Sequence, residues 1–398
     1  MLRSRTAWHA ALGTGLLLAA LGAPAAAAPA KNLLLNPGFE TARSHPWMPA
    51  AWDTFQSGLP TVFFGRDTVA VHGGRYAVSV ANVSNRIPMW HNWSQILVVG
   101  QEAWGKDLVF SVWTRSTGVQ GRGYLLVQAY RDTIEKMARH WGIEREAASE
   151  RMGISKLDDP FQNLGWKREY FSETETEWTR REVRVFCPPR ANIVYLRAGL
   201  FGTGQVMFDD ASLTLEPARP PDPVATGVNL LADPGFEDDG DGWEYSMPPY
   251  EGMTIARDTS VARSGAASVR FESGSEGMVE ARTGVCQVIS NRSLAGKRMR
   301  VRGNVKTDSL AGVAYIIVYA STASGDVRES TPREIGGTVD WTAITHEFDV
   351  PPRTYQVWAW FLYDAPVRGR LYWDDVSLEL VGAAKSEGTK PMRPLPDR

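Results

Sequence analysis

Cysteine is scarce: the 398 residues hold two, Cys187 and Cys286, one in each half of the chain. That rules out a scaffold held by many disulfides and reads as two separate thiols, an inter-domain disulfide being the alternative. Charge of one sign is scarce as well. A net charge of −2 supplies no broad field for nucleic acid or for an anionic membrane. Long apolar runs are missing after the first thirty residues, so membrane insertion of the remainder is not expected. Helical periodicity is rare, and the usual catalytic signatures are absent. There is no Gly-x-Ser-x-Gly elbow, phosphate loop or His-Glu-x-x-His motif, and His9, His45, His72, His91, His140 and His346 follow no metal-ligand spacing. No enzymatic activity is therefore expected.

What the sequence has begins with a leader. Arg3 and Arg5 precede an apolar stretch from Leu12 to Leu21, then small residues ending in Ala28-Pro29-Ala30. This is the order of a secretory signal peptide, with cleavage expected near Ala30 and a secreted or periplasmic product. Its apolar run is about ten residues, half of what a bilayer span needs. The rest suffices for two domains at about 100–200 residues each. Fifteen tryptophans and frequent glycine and proline, with many short alternating segments, predict an all-β protein.

Laying the halves over each other exposes a duplication. The run Asn32 to Glu40 (NLLLNPGFE) returns as Asn229 to Glu237 (NLLADPGFE). In the same order, Arg66-Asp67-Thr68 answers Arg257-Asp258-Thr259, Gly105-Lys106 answers Gly296-Lys297, and Trp178-Thr179 answers Trp341-Thr342. Pro188-Pro189-Arg190 then answers Pro351-Pro352-Arg353, and Phe208 to Leu213 (FDDASL) answers Trp373 to Leu378 (WDDVSL). The expected layout is a signal peptide over 1–30, a first β-sandwich over 31–216, a Pro-rich semi-rigid linker over 217–228, a second β-sandwich over 229–381, and a disordered tail over 382–398. The first copy alone carries an insertion, about 131–176, in which Ile134, Met137, Ala138 and Trp141 keep helical spacing. It is read as a cap on the sandwich or as a wall of a binding site.

Strand alternation sorts the faces. Val194, Leu196, Ala198 and Leu200 are uniformly apolar and face the core, which turns Tyr195 and Arg197 outward; in the second copy Trp358 and Trp360 turn outward. By the same test Trp113, Tyr124, Gln128, Asn304, Tyr315 and Tyr319 also face out. Aromatic planes cover the C–H face of a pyranose while planar amide and guanidinium groups bond its hydroxyls, so this mixture suits a sugar.

The opening Asn-Leu-x-x-Asn-Pro-Gly-Phe-Glu and the closing aromatic-Asp-Asp-x-Ser-Leu resemble the frame of carbohydrate-binding modules of the family four and nine type, over nearly the whole mature chain, twice. The resemblance implies two tandem galactose-binding-like jelly rolls, each an antiparallel β-sandwich, binding polysaccharide or oligosaccharide on a concave sheet face or at loop tips. It also implies a structural calcium ion held by the opening Glu and the first Asp of the closing pair, here Glu40 with Asp209 and Glu237 with Asp374. Asp209 alternates onto the same face as Ala211 and Leu213, so a carboxylate points inward, where it needs a cation or several donors. Capping of backbone amides is the alternative. Three functions compete: non-catalytic glycan binding, a structural or adhesive sandwich bound to a protein partner, and a cryptic glycoside hydrolase or lyase whose acids would lie among Glu135, Glu144 and Asp158. Such chemistry needs two carboxylates about 5–10 Å apart across a cleft.

Overall fold

A computed structural model describes residues 31–385 except 56–58, 85–89, 153–160, 173, 239–241, 246–252, 274–281, 323–324 and 365–367. The leader and most of the tail therefore lie outside the described residues. Each half is an antiparallel β-sandwich around its own apolar core. The first contains β1 (Asp53–Phe55), β2 (Val62–Asp67), β3 (Ala77–Asn82), β4 (Trp90–Val98), β5 (Lys106–Arg131), helices α1 (Ile134–Trp141) and α2 (Arg145–Met152), β6 (Gln162–Phe171), β7 (Thr179–Phe186) and β8 (Ile193–Pro217). The second contains β9 (Glu244–Tyr245), β10 (Met253–Asp258), β11 (Ser268–Ser273), β12 (Arg282–Ile289), β13 (Lys297–Thr322), β14 (Gly325–Ser330), β15 (Ile335–Asp349), β16 (Thr354–Asp364) and β17 (Gly369–Ala383).

In the first sandwich β5 and β8 run through both layers. Their outer parts pair with each other and with β3 and β7, and their inner parts pair with each other, β4 and β6. The layers are thus one sheet folded over. At the fold Gly121 and Gly202 lie so close that a Cβ on either would come within 2.2 Å of a carbonyl oxygen of the facing strand. Only glycine permits that approach. Phe110, Leu125, Leu196 and Leu213 fill the space between the layers, all fully buried. The core strands alternate as the sequence requires: Val194, Leu196, Ala198 and Leu200 are at most 2% exposed, while Tyr195 and Arg197 on the other face are half-buried.

The duplication extends to backbone conformation. Positive φ occurs at matching non-glycine positions: Asn36 and Asp233 (49° and 41°), Phe39 and Phe236 (57° and 56°), Arg190 and Arg353 (77° and 62°), Asp210 and Asp375 (45° and 46°). The opening motif works as a set of side-chain staples. Asn32 Oδ1 accepts from the Leu213 amide, and Asn229 Oδ1 from the Leu378 amide, each at 3.0 Å. Trp52 Nε1 donates to the Asn36 carbonyl, and Trp243 Nε1 to the Asp233 carbonyl, each at 3.1 Å. Both tryptophans are buried, so truncating either to alanine costs about 3–5 kcal/mol.

The insertion is narrower than the sequence suggests. β6 pairs with the inner part of β5 as β14 pairs with the inner part of β13, so 162–171 belongs to the repeat. The surplus is the helical segment between Arg131 and Gln162. α1 starts at Thr133, whose side chain accepts from the Lys136 amide, and ends at Gly142 with φ 64°. Its buried residues Ile134, Met137 and Ala138 join Ala148, Met152 and Ile193 in a satellite core. The Pro-rich connection is fastened to the second sandwich rather than free: the Asp222 carbonyl accepts from Asn291 Nδ2 and Ser293 Oγ, both at 2.9 Å. Cys187 and Cys286 are buried and unbonded.

Candidate functional site

The outward face of the β1-β4-β8-β5-β6 layer follows from its register. Tyr124 lies opposite Tyr170 and Gly199, Leu126 opposite Arg168 and Arg197, and Gln128 opposite Trp166 and Tyr195. On the other side of β8, Ser94 faces Arg197 and Ile96 faces Tyr195. One pleated face thus carries all of these side chains, and it divides into a covered half and an open half.

The covered half is where the sandwiches meet. Tyr124 is 1% exposed, not open as its alternation suggested. Asn92 Nδ2 donates to its hydroxyl at 2.9 Å, Trp90 meets it edge-on at 4.9 Å, and burial pushes its pKa up to about 12. The Arg168 guanidinium lies 4.0 Å over the Trp90 ring and forms an ion pair with Glu244 of the second sandwich. The Tyr170 hydroxyl donates to the same carboxylate at 2.7 Å. Trp166 packs edge-on against Trp358 at 5.4 Å, and the Gln356 side chain takes both the amide and the carbonyl of Trp166.

The open half brings three expected residues together and adds two more. Arg197 Nη1 donates to Gln128 Oε1 at 2.9 Å, and its guanidinium lies 5.6 Å from the centre of the Tyr195 ring. Tyr195 meets Tyr130 edge-on at 5.2 Å, and Tyr130 stacks on Phe161 at 5.0 Å. Phe161 and Ile96 are about half exposed, at 51% and 50%. Burial raises the Tyr130 pKa, opposed by the Arg197 charge. The helical segment closes one end, because Tyr130 and Tyr195 pack against the satellite core beneath α1 and α2. The helices therefore cap one end of this face.

The second sandwich presents the equivalent face differently. Tyr315 is 5% exposed and its hydroxyl donates to Asp364 at 2.8 Å. Tyr319 is half-buried under the Arg328 guanidinium at 4.9 Å. Trp360 is half-buried and stacks with Trp358 at 6.4 Å, but Trp358 is itself taken up by Trp166. Trp113 and Asn304, expected beside the others, lie on the opposite layer. Trp113 stacks on His72 at 3.9 Å, and Asn304, 3% exposed, donates to the Asp375 carbonyl. Long strands that turn the corner explain the split: alternation assigns a side of the strand, not a layer.

At the sandwich corners, Asp209 and Asp374 are fully buried. Asp209 Oδ2 accepts from the His72 and Gly73 amides at 2.8 and 3.1 Å, and Asp374 Oδ2 from the Arg263 and Ser264 amides at 2.6 and 3.2 Å. Glu40 accepts from the Arg75 and Tyr76 amides, and Glu237 from the Ala266 amide. Burial raises the pKa of both aspartates despite these donors. A hard cation would relieve that desolvation and suits an all-oxygen donor set. Among the described residues, no three His, Cys, Asp or Glu side chains gather as a metal-binding group.

Of the insertion acids, Glu135 pairs with Arg139 at 3.4 Å, and Asp158 lies outside the described residues. Cavities occur away from the open strip: one of about 210 Å³ beneath the helices beside Trp104 and Trp141, and one of about 340 Å³ by Arg122, Arg168 and Gly242. No described helix is long and apolar enough to cross a membrane.

No family model and no curated protein matches the sequence. Solved structures do match. The tandem family 22 carbohydrate-binding modules of Paenibacillus barcinonensis Xyn10C align over 90% of this chain and 100% of theirs, at 12% identity and a TM-score of 0.31. The C-terminal family 22 module of Clostridium thermocellum Xyn10B aligns over 42% of this chain and 99% of its own, at 13% identity and a TM-score of 0.32. The TmCBM61 module, solved with β-1,4-galactotriose, aligns over 39% of this chain and 99% of its own, at 18% identity and a TM-score of 0.29. Likenesses this distant assign neither family nor ligand.

Sequence reasoning missed Trp166, Arg168 and Glu244, which join the sandwiches, and Tyr130 and Phe161, which line the open strip. Alternation along β6, with Trp166, Arg168 and Tyr170 on one face, was the available signal for the first group.

Proposed function

We propose that this protein is a secreted or periplasmic, non-catalytic glycan-binding protein whose platform is the open strip of Gln128, Tyr195, Arg197, Tyr130 and Phe161. The observation that carries the reading is the composition of that strip: the half-exposed Phe161 ring and the half-buried Tyr130 and Tyr195 rings lie beside a guanidinium–carboxamide pair able to bond a sugar's hydroxyls. Calcium is proposed at the corners, with Glu40 and Asp209 in one sandwich and Glu237 and Asp374 in the other.

The test is binding of residues 31–398 to a broad array of immobilised polysaccharides, followed by affinity electrophoresis of Tyr195→Ala and Trp360→Ala. Tyr195→Ala is expected to weaken binding about tenfold, since an aromatic stacking partner contributes about 0.5–1.5 kcal/mol beyond its buried area. Binding lost with Trp360→Ala and kept with Tyr195→Ala would move the platform to the second sandwich. An array with no binding at all would favour the structural reading, which has its own support: Tyr124, Trp166 and Trp358 already serve as packing between the sandwiches.

A further inference from the structure

We propose that the glycan taken by this strip is acidic, and that Arg197 receives the carboxylate of a uronic acid residue. This rests on the glycan-binding reading and narrows its ligand class.

The argument begins with what Arg197 lacks. Several other strand arginines meet carboxylates: Arg168 meets Glu244, Arg181 meets Glu175, Arg184 meets Asp107 and Glu216, Arg282 meets Asp364, and Arg298 meets Glu347 and Asp349, whereas Arg66 spends its donors on the Pro46 and Glu40 carbonyls. Arg197 has no such partner among the described residues. Its hydrogen-bond partner is the neutral carboxamide of Gln128. The groups opposite it in register, Leu126 and Ser94, are also uncharged. Arg197 is thus a half-buried cation on the outward face of the sheet, with no carboxylate partner among the described residues and with donors beyond the one given to Gln128.

Geometry suits a carboxylate, the planar acid that a uronic acid carries. The guanidinium is a planar fork that matches a planar carboxylate with two parallel hydrogen bonds. Gln128 holds one side of the fork, and the Tyr195 ring lies 5.6 Å away. A uronate lying on Tyr195 would bring its carboxyl group to the remaining donors. The equivalent lattice point of the second sandwich, opposite Ile317, is Trp360, so the charge belongs to the first sandwich alone. The whole chain is close to neutral, so this selectivity comes from one local contact and not from a long-range field.

The experiment compares uronic acid homopolymers, polygalacturonate first, with the same polymers after carboxyl reduction, in EDTA to remove cation bridging. Wild-type residues 31–398 are expected to bind the acidic form at least tenfold more tightly. Arg197→Gln should bring the two affinities together, and Arg197→Lys, which keeps the charge but not the fork, should leave a reduced gap. The control Arg302→Gln, an exposed arginine on the other layer of the second sandwich, should keep the full gap. Circular dichroism and thermal melting establish that each variant folds, and the lysine variant serves if the glutamine variant does not. Equal binding of acidic and reduced polymers, or a gap that persists in Arg197→Gln, overturns the acidic assignment. Binding to neutral glycans alone overturns it while glycan binding stands. Failure to bind any glycan removes both.

Discussion

Asp209 and Asp374 show what one residue does at a sandwich corner. Each is buried, each caps two amides of the facing turn, and each binds its proton more tightly for being there. The sign matters. A carboxyl whose folded pKa is raised contributes stability below its unfolded pKa, near 3.9, and loses it as pH climbs through the folded value. At neutral pH these groups therefore weaken the fold unless a cation joins them. Saturating calcium at about a hundred times its dissociation constant would add about 2.7 kcal/mol per site. The expected outcome is a melting temperature higher by about 5–10 °C in millimolar calcium than in EDTA. That gain should shrink as the pH falls through the raised pKa values of Asp209 and Asp374, where the proton competes with the cation. An unchanged melting temperature at pH 7 would leave amide capping as their whole role. The acids were legible in the sequence because both lie in motifs that recur in order. Their amide partners were not, because His72 and Arg263 are far away in the chain.

Among the elements, β6 and the helices before it were the hardest to foresee. The long excursion between Tyr130 and Trp178 contains helical spacing, which conceals that β6 is the counterpart of β14. Pairing with β5 decides that, and pairing partners are not written in local periodicity. The helices themselves were readable: Ile134, Met137 and Ala138 are buried on one side of α1, as their spacing implies. What they cover was not readable. Their satellite core touches Tyr130 and Tyr195, so the cap holds one end of the open strip. Met137→Ala should cost about 2–5 kcal/mol locally. Hydrogen exchange in 134–152 is expected to accelerate, with glycan affinity falling several-fold while the main transition moves little. Faster exchange with unchanged affinity would show that the helices do not shape the strip.

At the scale of the molecule, the two sandwiches share a buried ion pair and not merely a tether. Arg168 and Glu244 have side chains only 14% and 12% exposed. Removing one partner of such a pair strands a buried charge and costs about 3–5 kcal/mol. Arg168→Ala is expected to separate the calorimetric unfolding of the sandwiches into two transitions, and Glu244→Ala to do the same. A single transition, shifted but not split in both variants, would show that the remaining contacts at Trp166 and Gln356 suffice to couple them. The junction also changes the use of Trp358. Sequence alternation offers it as a sugar platform, and the tertiary contact with Trp166 makes it a packing surface.

The sequence by itself determined the all-β class, the duplication, the corner acids and the inward face of each strand, because these follow from period-two alternation and from motifs repeated in order. Only the tertiary structure decided which outward residues stay open. Tyr124, Tyr315 and Asn304 are buried, while Gln128, Tyr195 and Arg197 form a strip with Tyr130 and Phe161. Alternation specifies the side of a strand on which a residue stands. What lies across from that side depends on how long strands turn from one layer to the next and on where the second sandwich comes to rest, and both are set by contacts between residues distant in the chain.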